Sequence, residues 1–148
     1  MNIDEYKNSK VEIGKTTFVI DKLNANAGFK VLEILRVAII ASGESFQTAG
    51  NDFMNMCKGV LGLPIDIVES VKTELFNNIR FFKEKNETKG KGIYLQRQCY
   101  DMAFEGLEPI DMYDLLLRAL VVNFFSSFQK LKSKIPQLQS LIELDPSK

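Results

Sequence analysis

Four groups of residues in this chain have side chains that chemistry uses, and each lacks the spacing that would make a site. Gly14-Lys15-Thr16 has the lysine and threonine of a phosphate-binding loop. It lacks the earlier glycine and the spacing, and it falls in a tight turn instead of ahead of a helix. Gly90-Lys91-Gly92 has the charge to attract an anion, but no helix cap or interleaved aromatic accompanies it, so it reads as loop. Asp101, Glu105, Glu108 and Asp111 gather acid near a helix start. Without calcium-loop spacing or paired histidines they read as a capped, solvated helix start, not a metal site. Cys57 and Cys99 have no histidine to activate them and read as small core residues.

Histidine is absent altogether. Its absence removes the usual general base, the Ser-His and Cys-His couples and the commonest metal ligand in one step. The expectation is a protein without catalytic residues, metal ligands or cofactor.

The elements that would position any site follow from composition and periodicity. At 148 residues, 45% hydrophobic and with 11 Phe, the chain can bury a core of ordinary domain size, and it is read as a single domain over 1–148. Lys plus Arg balances Asp plus Glu at 19 each, which gives no reason to expect nucleic acid or an anionic membrane as partner. Two separated cysteines fit a reducing compartment, residues 1–10 are polar and flexible in this reading, and no apolar run approaches a membrane span. A soluble cytoplasmic protein is expected.

Residues 11–20 alternate as a hairpin about Gly14-Lys15, with Val11 facing Phe18, Ile13 facing Thr16 and Ile20 on the same side. Asn24 or Asn26 then caps a helix to about Ser42. Its apolar arc is Val31, Leu32, Ile34, Leu35, Ala38 and Ile39, while Phe29, Val37 and Ile40 lie on the charged side. A short helix is permitted from about Asn51, and Pro64 opens a further helix whose apolar line runs from Ile65 through Ile79 to Phe82. Residues 83–92 read as a solvated loop. For 93–104 a helix through Leu95, Cys99 and Met102 is preferred over a strand at Ile93-Tyr94-Leu95 pairing with the hairpin.

Pro109 opens the most apolar helix, with Tyr113, Leu116, Leu117, Leu120, Val121, Phe124, Phe128 and Leu131 on one stripe. Leu115, Val122 and Phe125 fall outside that stripe, in the arc of Asp114 and Arg118. Pro136 is expected to end this helix beyond Ser133 and leave 134–148 as a tail, in which Leu138, Leu141 and Ile142 could grip the body or a partner. The fold class is therefore mainly α: a compact helical domain, its body spanning 24–133, with a short N-terminal β-hairpin.

Two stretches together resemble a known family. Val11-Glu12-Ile13-Gly14-Lys15-Thr16-Thr17-Phe18-Val19-Ile20-Asp21-Lys22-Leu23, followed by Gly28-Phe29-Lys30-Val31-Leu32-Glu33-Ile34-Leu35-Arg36, resembles the opening of tailed-bacteriophage tail assembly chaperones. Phe104-Glu105-Gly106 and the helix from Met112-Tyr113-Asp114-Leu115-Leu116 to Val122-Asn123-Phe124 are similar to that family's Tyr-x-Leu-Leu helix ending in Val-Asn-Phe. The match covers roughly residues 11–42 and 101–128. It implies a non-enzymatic chaperone in the host bacterial cytoplasm that binds the long, apolar, helical tape measure protein, keeps it soluble and helps tail-tube protein polymerise around it.

On that reading the surplus apolar residues Leu115, Val122, Phe125, Phe29, Val37 and Ile40 are the candidate partner-binding set. The competing readings are a structural tail or baseplate adaptor retained in the virion, and a small enzyme or ligand carrier with an apolar pocket. Whether the chain forms a homo-oligomer is left open by the sequence.

Overall fold

The computed structural model describes residues 3–41, 53, 57, 59–60, 62–83 and 90–143, the side chains of 38–41, 128 and 131–143 excepted. In order come helix α1 (Ile3–Tyr6), strands β1 (Lys10–Ile13) and β2 (Thr16–Ile20), helices α2 (Ala25–Ala41) and α3 (Ile65–Phe76), then strands β3 (Ile79–Phe82) and β4 (Ile93–Tyr94). A 3₁₀ turn at Arg97–Cys99 leads into the short helix α4 (Tyr100–Ala103), and α5 (Pro109–Glu143) follows.

The mainly α expectation is overturned by a four-stranded antiparallel sheet in the order β1-β2-β3-β4, which gives an α+β fold. The hairpin keeps the register its alternation predicts, Val11 opposite Phe18 and Ile13 opposite Thr16. Of the two central turn residues only Gly14 carries a positive φ, 60°, as the first central residue of a type II′ turn does. The sheet then continues through residues expected to be helical. Phe18 pairs with Phe81 and Ile20 with Ile79, while Phe81 pairs with Ile93.

The helix expected to run through Phe82 stops instead at Asn77, where the backbone turns through Asn78 into β3. Asparagine favours such turns, and Ile-Arg-Phe-Phe suits a half-buried strand once β2 supplies a partner. Ile93-Tyr94 likewise joins β3 and not the first hairpin directly, so the helical preference there holds only from Arg97 onward.

One face of the sheet carries the core. Phe18, Ile20, Ile79 and Phe81 are buried together with Val31 and Leu35 of α2, Val71, Leu75 and Phe76 of α3, and Leu115 to Phe124 of α5. Phe104, between α4 and α5, stacks on both Phe18 and Phe76, with ring centroids 5.4 and 6.1 Å apart. The opposite face presents Lys10, Glu12, Thr17, Val19, Arg80 and Tyr94, none of them buried, together with Phe82, which is buried with its ring against Gly92. Arg80 is held there by Asp21 at 2.8 Å, and this bond raises its already high pKa further.

Asn24 caps α2 by accepting the Ala27 N–H at 2.8 Å, satisfying one of the helix's orphan donors. The start of α5 is closed from the other direction. Pro109 takes the first position, and the Asp111 carboxylate reaches back to the Glu108 N–H at 2.8 Å. Helix α5 does not end at Pro136 as expected but continues to Glu143. The proline forfeits one backbone hydrogen bond without stopping the helix. At the other end, residues expected to be flexible form α1 and lead directly into β1. The short helix expected from about Asn51 and the solvated loop expected at 83–92 lie largely outside the described residues, although Phe53, Cys57 and Val60 are placed and buried.

Candidate partner-binding surface

Helix α5 carries more apolar side chains than one stripe needs, and the chain itself covers most of the surplus. Leu115 is wholly buried and Val122 is 9% exposed, so both belong to the core. Phe125 is half-buried, edge-on to Phe53 at 5.5 Å and beneath the Lys7 ammonium at 4.4 Å. Tyr6, next to Lys7 in the chain, meets α5 nearer its start. Its hydroxyl donates to Asp114 Oδ1 at 2.6 Å, and the Arg118 guanidinium sits 4.4 Å from its ring. Arg118 in turn donates to Asp114 Oδ2 at 2.9 Å and to the Glu5 carbonyl at 3.4 Å. Burial, reinforced by the bond to the Asp114 carboxylate, pushes the Tyr6 phenol up to about 12.

The other sequence-predicted residues lie on α2. Phe29 is 60% and Val37 55% exposed, with the Glu33–Arg36 ion pair (2.8 Å) between them in the chain. That pairing holds the Glu33 carboxyl below its ordinary range. The side chain of Ile40 is outside the described residues. The five of these residues whose side chains are described therefore do not converge: Leu115 and Val122 are interior, Phe125 is half covered, and Phe29 and Val37 lie apart on α2.

A second apolar surface was not anticipated. Ile65 at the start of α3 is 80% exposed, and Ile110 and Tyr113 at the start of α5 are 64% and 45% exposed. Tyr113 had been assigned to the core stripe. It sits one turn before the stripe reaches the packed layer, so the same periodicity that buries Leu117 and Leu120 leaves Tyr113 and Ile110 at the rim. Between the two helix starts lies a cleft of about 310 Å³ walled by Leu63, Ile65, Val68, Met112, Tyr113 and Leu116. The Glu69–Lys72 pair (2.8 Å) forms its polar edge. The available signal was positional: each isoleucine directly follows a helix-opening proline, in a first turn whose outer side has no neighbouring turn to cover it.

The residues that could have carried chemistry have structural roles here. Asp111 caps α5, Cys57 is buried and Cys99 is half-buried. Among the described residues no His, Cys, Asp and Glu side chains gather in a group able to hold a metal ion. No helix of the described residues is long and apolar enough to cross a membrane.

The two stretches that carry the family resemblance meet in space. The Leu23 N–H donates to Asn123 Oδ1 at 2.7 Å, and Asn123 Nδ2 donates back to the Ala119 carbonyl at 2.9 Å. Gly28 lies against Phe124, where a Cβ would be 3.7 Å from the ring. Gly14 turns under Leu107 so tightly that a Cβ would come within 2.7 Å of it. Thr16 donates to the Ala103 carbonyl at 3.2 Å. These positions hold the hairpin, α2 and α5 in one arrangement.

Residues 14–136 match a family model described as phage tail assembly chaperone protein, TAC. No curated protein and no solved structure matches the chain.

Proposed function

Since the chain belongs to the phage tail assembly chaperone family, we propose that it acts without catalysis, binding the tape measure protein in the host bacterial cytoplasm. It keeps that long helical protein soluble and assists the tail-tube protein in assembling around it. The observation that supports this most is the apolar surface at the helix starts. Ile65 and Tyr113 stand exposed at a cleft lined by aliphatic side chains, and Ile110 is exposed beside it on the first turn of α5. Exposed apolar groups rimmed by a charge pair are what a helix-in-groove contact uses. Phe29 and Val37 on α2 supply a second patch for the same partner or for the tube protein.

Coexpression with the tape measure protein tests the assignment. Wild-type chaperone is expected to bring it into the soluble fraction. Ile65→Asp with Ile110→Asp is expected to fold normally, because both side chains are solvated already, and to lose that effect. A correctly folded double variant that still solubilises the partner as well as wild type rejects the apolar surface at the two helix starts as the site. If wild type itself fails, the tape measure reading is wrong. Mass spectrometry of purified particles is expected to find the protein missing, whereas a virion adaptor would be present.

A further inference from the structure

The covered arc of α5 is occupied by something with little of its own to hold it. Helix α1 is a single turn of four residues with no buried side chain. One turn has no helical stability in isolation, so its conformation depends on what it sits on. What it sits on is specific: the Tyr6 hydroxyl on Asp114, Arg118 across the Tyr6 ring, and Lys7 over Phe125.

On either side of this turn lies an open groove along α5. One, about 360 Å³, is walled by Tyr6 with Ile110, Tyr113, Asp114 and Leu117. The other, about 530 Å³, lies between Lys7, Ser9 and the end of β2 with the two residues after it (Ile20 to Lys22) on one side and Val121, Val122 and Phe125 on the other. Ile110, Asp114, Leu117, Val121 and Phe125 follow one another at steps of three and four, the repeat of a single helix face. With α1 lifted, the grooves join into one stripe of about four turns, roughly 22 Å long.

We propose that α1 is a displaceable strap occupying the middle of a helix-docking stripe on α5, and that an amphipathic helix of the partner replaces it. The occupant's chemistry is read from the strap. It is helical, it presents apolar side chains at Ile3 and Tyr6, three apart, and it donates a hydrogen bond to Asp114. An incoming helix of this kind would carry apolar residues at i, i+3 or i+4, and i+7 with a hydroxyl or amine donor among them. The proposal rests on the chaperone reading for the partner's identity, but the strap itself is tested without any partner. A partner that binds only the open state has its apparent affinity reduced by the fraction of molecules open, so loosening the strap tightens binding. Losing one hydrogen bond to a charged acceptor shifts the closed-to-open ratio about tenfold.

The test uses the full chain with Tyr6→Phe, which deletes only the hydroxyl, and Tyr6→Ala, which deletes the ring. The probe is 1-anilinonaphthalene-8-sulfonate, with amide exchange of β2 and β3 as the check on the core. Expected are a several-fold rise in dye fluorescence for Tyr6→Ala, a smaller rise for Tyr6→Phe, and unchanged protection of the sheet. No rise with the sheet intact overturns the strap. So does loss of sheet protection in both variants, since α1 would then be part of the cooperative core. In a second arm, Tyr6→Phe is expected to bind the tape measure protein up to about tenfold more tightly than wild type. Unchanged or weaker binding overturns the docking stripe and leaves the chaperone function standing if wild type binds. If wild type does not bind at all, the function fails while the dye arm still decides the strap.

Discussion

Asn123 shows how much one side chain can organise. Its amide accepts the Leu23 N–H across 100 residues of sequence and ties the entry of α2 to the middle of α5. Asn123→Ala leaves that part-buried N–H without a protein acceptor. The variant is expected to lose about 1–3 kcal/mol of stability, read as a lower denaturant midpoint at unchanged m-value. Tyr6 makes the pH-dependent counterpart. Its phenol is raised from an ordinary value of 10.0 to about 12, so the folded state holds the proton more tightly than the unfolded chain does. The stability this contributes is complete below pH 10 and is lost as the pH rises through 12. Urea denaturation at pH 9 and at pH 11.5 is expected to show a larger loss for wild type than for Tyr6→Phe. At this scale the sequence was readable wherever a role is local: the glycine turn and the Asn24 cap follow from neighbours in the chain, whereas the partner of Asn123 does not.

Among the elements, the hairpin was legible down to its register because alternation and a two-residue turn are short-range signals. The rest of the sheet was not. Ile79 and Phe82 continue the helical periodicity of α3 by coincidence, and only Asn77-Asn78 marks the turn locally. What makes 79–82 a strand is β2, nearly sixty residues earlier, and such pairings leave no local pattern to read. The surplus on α5 was legible as a surplus, but its cover was not, since Tyr6, Lys7 and Phe53 lie far away in sequence. The turn offers a test at the same scale. Gly14→Ala forces a side chain into a φ of 60° and against Leu107. It is expected to cost about 1–2 kcal/mol for the backbone alone, seen as a lower thermal midpoint, and Leu107→Ala is expected to relieve part of the steric share.

At the scale of the whole molecule, two cysteines report on different depths of one core. Cys57 is fully buried, and Cys99 is half-buried at the 3₁₀ turn ahead of α4. A maleimide is expected to label Cys99 readily under native conditions and Cys57 only as fast as the core opens. Mass spectrometry of the labelled protein over time separates the two, and equal rates would show that the layer over Cys57 opens freely. The family assignment belongs to this scale too, because the matched span, 14–136, runs from the hairpin turn into α5 and takes in β2, β3 and β4, with β1 just outside it.

The centre of that core, Leu115 to Phe124, is synthesised after nearly everything it holds in place. At ribosomal rates of 5–20 residues per second, roughly five to twenty seconds separate the hairpin from the helix that seats it. Through that interval β1 and β2 lack the α5 part of the layer beneath them, and the Leu23 N–H waits for Asn123 to emerge. A chaperone built this way begins as a nascent chain with its own apolar surface uncovered, so it must complete itself before it can shelter another protein.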